Sequence, residues 1–128
     1  MKIMTHNKID QELCGEPVEV EEGFSRVRLQ PTERMAVDGS GLVHGGFIFG
    51  LADHSAMIAV NHPNVVLGAA DIRFLRPVRI DERVVAEARV QIREGKKHEV
   101  QVTVYRGDEK VFEGKFVCFV PDKHVLSV

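Results

Sequence analysis

The stretch HGGFIFGLADHSAMIAVN, residues 44–61, decides how this chain folds. Five of the eleven glycines fall in the twelve residues from Gly39 to Gly50, just before and inside it. Glycine at that density leaves backbone groups uncovered and accessible. At about 3.6 residues per turn, Phe47, Ile48, Leu51, Ala52, Ile58 and Ala59 leave no clean polar face, so the stretch predicts a helix buried nearly all round. A curved antiparallel sheet wrapped around it would supply that burial. Asp53 is the anomaly within it. Its i−4, i−3, i+4 and i+7 neighbours are Phe49, Gly50, Met57 and Val60, none of which pairs with a carboxylate. Desolvation is expected to raise its pKa toward neutrality, which suits a general base and is typical of functional carboxylates. The alternative is a solvated acid, or one paired with an arginine from a strand or a second subunit.

Outward from this helix the chain reads as strands. Prolines at 17, 31, 63, 77 and 121 are expected at element boundaries. Upstream, Thr5 or Asn7 is a candidate N-cap for a short helix through Ile9 and Leu13 that stops at Gly15. Val18 and Val20, then Val27 and Leu29, alternate with charged residues on either side of Glu22-Gly23, which predicts a hairpin. Downstream, residues 65–75 read as extended. Ala86, Ala88, Val90 and Ile92 alternate with Glu87, Arg89, Gln91 and Arg93, and Val100, Val102 and Val104 continue the pattern after the EGKK turn. The RGDEK turn then leads into VFEGKFVCFV. The prediction is an α+β domain spanning residues 1–128, with five or six antiparallel strands around one long helix.

Composition narrows the function. The 128 residues hold 17 Lys plus Arg against 19 Asp plus Glu, a net charge of −2, which removes the electrostatic basis for nucleic-acid binding. No stretch approaches the roughly 20 apolar residues of a membrane span, and the start lacks a signal-like apolar run. A soluble, cytoplasmic protein is expected. Cys14 and Cys118 have neither metal-ligand nor disulfide-framework spacing and read as reduced packing residues.

The segment GLVHGG, residues 41–46, places two glycines at the helix start, where free N–H groups suit an oxyanion. Gly46 and Asp53 are seven residues apart, about 10 Å along one helix at 1.5 Å per residue. That is too far to flank one carbonyl, so if both act on one carbon they come from different copies of the helix. With MAVDGSGLV before it and IRFLRPVR after it, the motif resembles the PaaI-type acyl-CoA thioesterases of the hotdog superfamily. The resemblance extends from about the first hairpin to Val120. It implies a dimer sharing one continuous sheet, commonly paired again into a tetramer. It also implies hydrolysis of an acyl- or aryl-acyl-CoA thioester with no metal or bound cofactor, coenzyme A being part of the substrate.

Carried onto this sequence, the resemblance makes Asp53 the motif's carboxylate, acting as base or nucleophile, Gly46 N–H the oxyanion donor, and His44 the start of the motif near the thioester. Substrate contacts are expected from Asp38, Gly45, Ala70, Asp71 and Arg73. Asp38 stands where relatives commonly carry Asn. Either it shares a proton with a second carboxylate in the site, or it is a turn residue before Gly39.

Other constellations are weaker. His54 and His62 lack the spacing of a zinc site, DGSG lacks the Lys-Ser/Thr of a phosphate loop, and Ser40 and Ser55 have no triad partners at readable spacing. Lys96 and Lys97 read as a solvated hairpin tip, although they, Arg73 or Arg76 would suit coenzyme A phosphates. The rival functions are a non-catalytic acyl-CoA-binding hotdog protein and a hotdog hydratase or dehydratase. The latter is disfavoured because His54 points about 100° from Asp53 on a helix.

Overall fold

Alternating apolar residues and short polar turns produce six strands, and the glycine-led apolar run produces one long helix. The computed structural model describes residues 1–127. In chain order the elements are α1 (Gln11–Cys14), β1 (Glu16–Glu21), β2 (Phe24–Leu29), a 3-10 turn (Glu33–Met35), α2 (Gly45–Val60), β3 (Val66–Phe74), β4 (Val84–Glu94), β5 (Lys97–Arg106) and β6 (Glu109–Phe119). The strands form one sheet in the order β1-β2-β4-β5-β6-β3, with every pairing antiparallel. This is the α+β hotdog arrangement, a six-stranded sheet around a central helix.

The helix packs against β2, β4 and β5. Ala86 and Ala88 of β4 lie fully buried beneath it, and their small side chains admit the helix close to the sheet. Val27 and Leu29, then Val100, Val102 and Val104, extend this floor, and Phe112 and Phe116 of β6 fill the remaining volume. Burial of α2 is uneven along its length. From Leu51 to Ala59 only Asp53 escapes full burial, whereas among the first six residues only Ile48 is buried. The helix is therefore core at one end and open at its glycine-rich start. Asn61, in the left-handed conformation at φ 54°, ends it by donating its N–H to Met57 O. Its side chain holds the N-terminal segment, accepting from Met4 N–H at 2.7 Å and donating to Lys2 O at 2.8 Å.

Four local expectations are corrected. The short helix is a single turn capped by Asp10, whose Oδ1 accepts from the N–H groups of Glu12 and Leu13, and not by Thr5 or Asn7. Thr5 instead bonds His6 Nδ1, and His6 at φ 55° turns the chain. Pro17 lies inside β1, not at a boundary. The strand is an edge, so one side of its backbone has no strand partner to miss the N–H. A register shift between Pro17 and Glu19 breaks the β1 alternation and leaves Val18 exposed. A second shift between Val90 and Ile92 inserts Gln91 as an extra residue, so Ile92 leaves the core face and is exposed.

Candidate active site

The helix start is built by a side chain that caps itself. His44 is the N-cap of α2, and its Nδ1 accepts the N–H of Gly46 at 2.8 Å, while its carbonyl accepts from Phe47 N–H at 3.0 Å. The N–H expected to receive an oxyanion is thus paired with the imidazole. A side chain at either glycine would crowd a neighbouring ring. A Cβ on Gly46 would lie 2.8 Å from His44 Nδ1, and one on Gly45 would lie 3.1 Å from the Phe74 ring. Phe74 ends β3, packs edge-on against buried Phe112, and is half exposed.

Asp53 lies two turns further along. Its Oδ1 is buried with no hydrogen-bond partner, and burial raises its pKa from 3.8 to about 6. One turn earlier Phe49 packs on Phe116 of β6, so this flank of α2 looks toward β6 and the edge strand β3. Cys118 of β6 is pushed up to about 12 by burial first and by the Asp53 charge second. Cys14 is also raised, so neither free thiol is an activated nucleophile. His54 is buried and donates from Nδ1 to Cys14 O at 3.1 Å. Burial lowers its pKa, and its ring serves the packing of α1 rather than Asp53.

Not every expected substrate residue joins this site. Asp38 is exposed, and its Oδ1 accepts from Ser40 N–H at 2.9 Å and Ser40 Oγ at 2.6 Å. Those bonds lower its pKa and tie it into the turn before Gly41. Strand alternation places Asp71 and Arg73 on the outer face of the sheet, opposite Lys115 and Glu113 respectively. Ala70 shares the inner side of β3 with Ile72 and Phe74 and is exposed. Lys96 pairs with Asp122 near the β4–β5 turn.

The sequence reading missed the residues that complete the surroundings of Gly45. An open apolar cleft of about 320 Å³ includes Val43, Ile48, Phe74, Val78 and Val111 in its lining. It forms because Val43 N–H donates to Val78 O and Leu75 N–H to Val111 O, which draws residues 75–78 across the helix start. The motif FLRPV was visible, but these long-range bonds were not. Among the described residues no group of three His, Cys, Asp or Glu is placed to hold a metal ion. No helix there is long and apolar enough to cross a membrane.

Comparison with known proteins agrees with this geometry. Residues 40–113 match the thioesterase superfamily. An uncharacterized protein of Pyrococcus horikoshii superposes with a TM-score of 0.97 at 49% identity, over 98% of this chain and 97% of that one. The Escherichia coli PaaI protein from the phenylacetic acid degradation operon superposes with a TM-score of 0.75 at 25% identity, over 81% of each chain. A methylthioribose-1-phosphate isomerase of Aquifex aeolicus is 52% identical over 116 residues, which are 91% of this chain and 25% of that protein. The transcription factor FapR of Thermoanaerobacter sp. is 32% identical over 91% of this chain and 58% of its own length. The chain thus spans about a quarter of one of these curated relatives and somewhat over half of the other. On the superfamily match, the near-complete superposition and the wrapped-helix topology, the chain belongs to the thioesterase superfamily, as a PaaI-type hotdog protein.

Proposed function

We propose that this protein hydrolyses acyl- or aryl-acyl-CoA thioesters to the free acid and coenzyme A. The observation that carries the proposal is Asp53, a carboxylate with a buried, unpartnered oxygen and a pKa raised to about 6, on a helix whose start presents the N–H of Gly46. An unpartnered carboxylate oxygen is destabilising for the fold and is available to a water molecule or to the thioester carbon. In the base route, Asp53 takes a proton from water and the hydroxide adds to the carbonyl carbon. Gly46 N–H, released from His44 Nδ1, receives the oxyanion. The C–S bond then breaks, and the proton held by Asp53 passes to the leaving thiolate. In the nucleophilic route, Asp53 adds to the carbon and the C–S bond breaks, giving a mixed anhydride and the coenzyme A thiolate; water then cleaves the anhydride to the free acid and the Asp53 carboxylate, and the released proton passes to the thiolate. Neither route calls on a metal or resident cofactor.

Gly46 and Asp53 of one helix are separated by about 10 Å of helix rise, so the reacting pair is drawn from two protomers. The edge strand β3 is the proposed seam of a homodimer, and two dimers pair into a homotetramer. The expected setting is the cytoplasm, with small-molecule thioesters as partners and neither nucleic acid nor membrane.

Likeness to a transcription factor supports a second, non-catalytic reading, in which the same fold binds an acyl-CoA without hydrolysing it. A hydratase is disfavoured because His54 Nδ1 is engaged by Cys14 O. Hydrolysis assays over a panel of acyl- and aryl-acyl-CoA thioesters separate these possibilities. Turnover by the wild type that falls about 100-fold or more in Asp53→Asn is the expected result. Binding without turnover in both proteins would instead select the second reading.

A further inference from the structure

A second cleft adjoins the apolar one. It has a volume of about 500 Å³ and is lined by Ser40, Leu42, Pro77, Arg79, Glu82 and Arg106. Pro77 lines both clefts, so they meet along the segment that crosses the helix start. The wall between them is rigidly bonded. Leu42 and Arg79 form an antiparallel bridge, Ile80 N–H donates to Gly41 O at 2.9 Å, and Pro77 O accepts from Arg106 Nη1 at 2.7 Å.

The arginines in this region are unequally paired. Arg106 bonds Glu82 at 3.1 Å and also pairs with Glu109, while Arg76 pairs with Glu109 at 2.9 Å. Arg79, beside them, has no ionic partner among the described residues. Its backbone is fixed, since Arg79 N–H donates to Glu82 Oε1 at 2.8 Å and its carbonyl accepts from Glu82 N–H at 3.0 Å. Its guanidinium is left exposed at the cleft. The nearby Asp38 carboxylate is held by Ser40 and does not pair with it.

We propose that Arg79 anchors the phosphates of coenzyme A in this second cleft, and that the apolar cleft carries the uncharged thiol-bearing arm past Pro77 to the helix start. The assignment rests on the proposed thioesterase activity and adds to it the end of the substrate that the protein grips. An apolar cleft at the helix start, meeting a second cleft that carries an unpaired guanidinium, complements a ligand with a neutral arm and a phosphorylated far end. Arg79 is then a binding residue that acts on KM, remote from the reacting carbon. Arg106, with both of its terminal nitrogens engaged, holds the wall.

The test compares two thioesters of the same acyl group, one of coenzyme A and one of pantetheine, which lacks the phosphates. In Arg79→Gln, KM for the coenzyme A thioester is expected to rise about tenfold, with kcat unchanged and KM for the pantetheine thioester unchanged. Arg79→Lys is expected to recover part of the loss. Equal KM values for the coenzyme A thioester in wild type and Arg79→Gln would overturn the assignment while leaving the thioesterase activity standing. Equal losses on both thioesters would also overturn it, by showing a structural role. If the wild type hydrolyses neither substrate, the proposed activity fails, and calorimetry with coenzyme A itself decides the anchor. Weaker binding in Arg79→Gln then supports it, and no binding by the wild type, or equal binding by both, overturns it.

Discussion

An acid kept from water with one oxygen unpartnered lowers the stability of the protein that carries it, and Asp53 makes this measurable. Its carboxyl titrates at about 6 in the folded chain against an ordinary value of 3.8, because burial disfavours the anion. Below pH 3.8 the acid is neutral in folded and unfolded chains alike and carries no charge penalty. As pH rises from 3.8 to 6 the unfolded chain releases its proton first, so stability is lost across that window, up to about 3 kcal/mol. Asp53→Asn removes the titration. It is therefore expected to stabilise the protein against urea by up to about 3 kcal/mol more at pH 8 than at pH 4. Comparing the two pH values cancels any constant effect of the amide. Equal changes at both would show that the carboxylate is solvated. The importance of Asp53 was legible in the sequence from its apolar i−4, i+4 and i+7 neighbours. The surroundings of Asp38 were not, because what a carboxylate bonds depends on how the chain turns beside it, and here Ser40 donates two hydrogen bonds to its Oδ1.

At the scale of elements, α2 is held at its start by a residue that also obstructs it. The His44 cap satisfies one of the N–H groups a helix leaves unpaired, and that N–H belongs to Gly46. His44→Ala is expected to destabilise the fold by about 1 kcal/mol, with Asn at the same position recovering most of the loss because it also accepts from an N-terminal amide. Hydrogen exchange at the Gly46 amide should accelerate in the alanine variant and remain slow with Asn. Unchanged exchange in His44→Ala would mean that the cap does not persist in solution. Most elements were legible because each signal is local. Alternation gave the strands, the Glu22-Gly23 and EGKK turns gave two hairpins, and proline-free apolar density gave the helix. The bulges at β1 and β4 were not legible, since an extra residue is defined only against the partner strand. The clefts beside Gly45 escaped for the same reason. They depend on the pairing of residues 42–43 with 78–79, about 35 positions away in the sequence.

The two edges of the sheet differ, and the difference bears on how the whole molecule assembles. β1 is an edge carrying Pro17 and three glutamates, features that discourage a further strand from pairing. β3 is a nine-residue edge, Val66–Phe74, with no proline or lysine, and it leaves Ala69, Ala70 and Phe74 exposed. A second copy adding at β3 would extend the sheet and bring a partner helix toward the flank of α2 that carries Asp53. Each site would then join Asp53 of one protomer to Gly46 N–H of the other. Gly46→Pro deletes that N–H within the first helical turn, where proline is tolerated, and Asp53→Asn deletes the acid. Each homodimer is expected to be inactive. After equal mixing and subunit exchange, half of the dimers combine one variant of each kind. Each such dimer has one intact site of two, so about a quarter of wild-type turnover should return. Sites contained within single protomers would give no recovery, because every protomer in the mixture lacks one of the two groups.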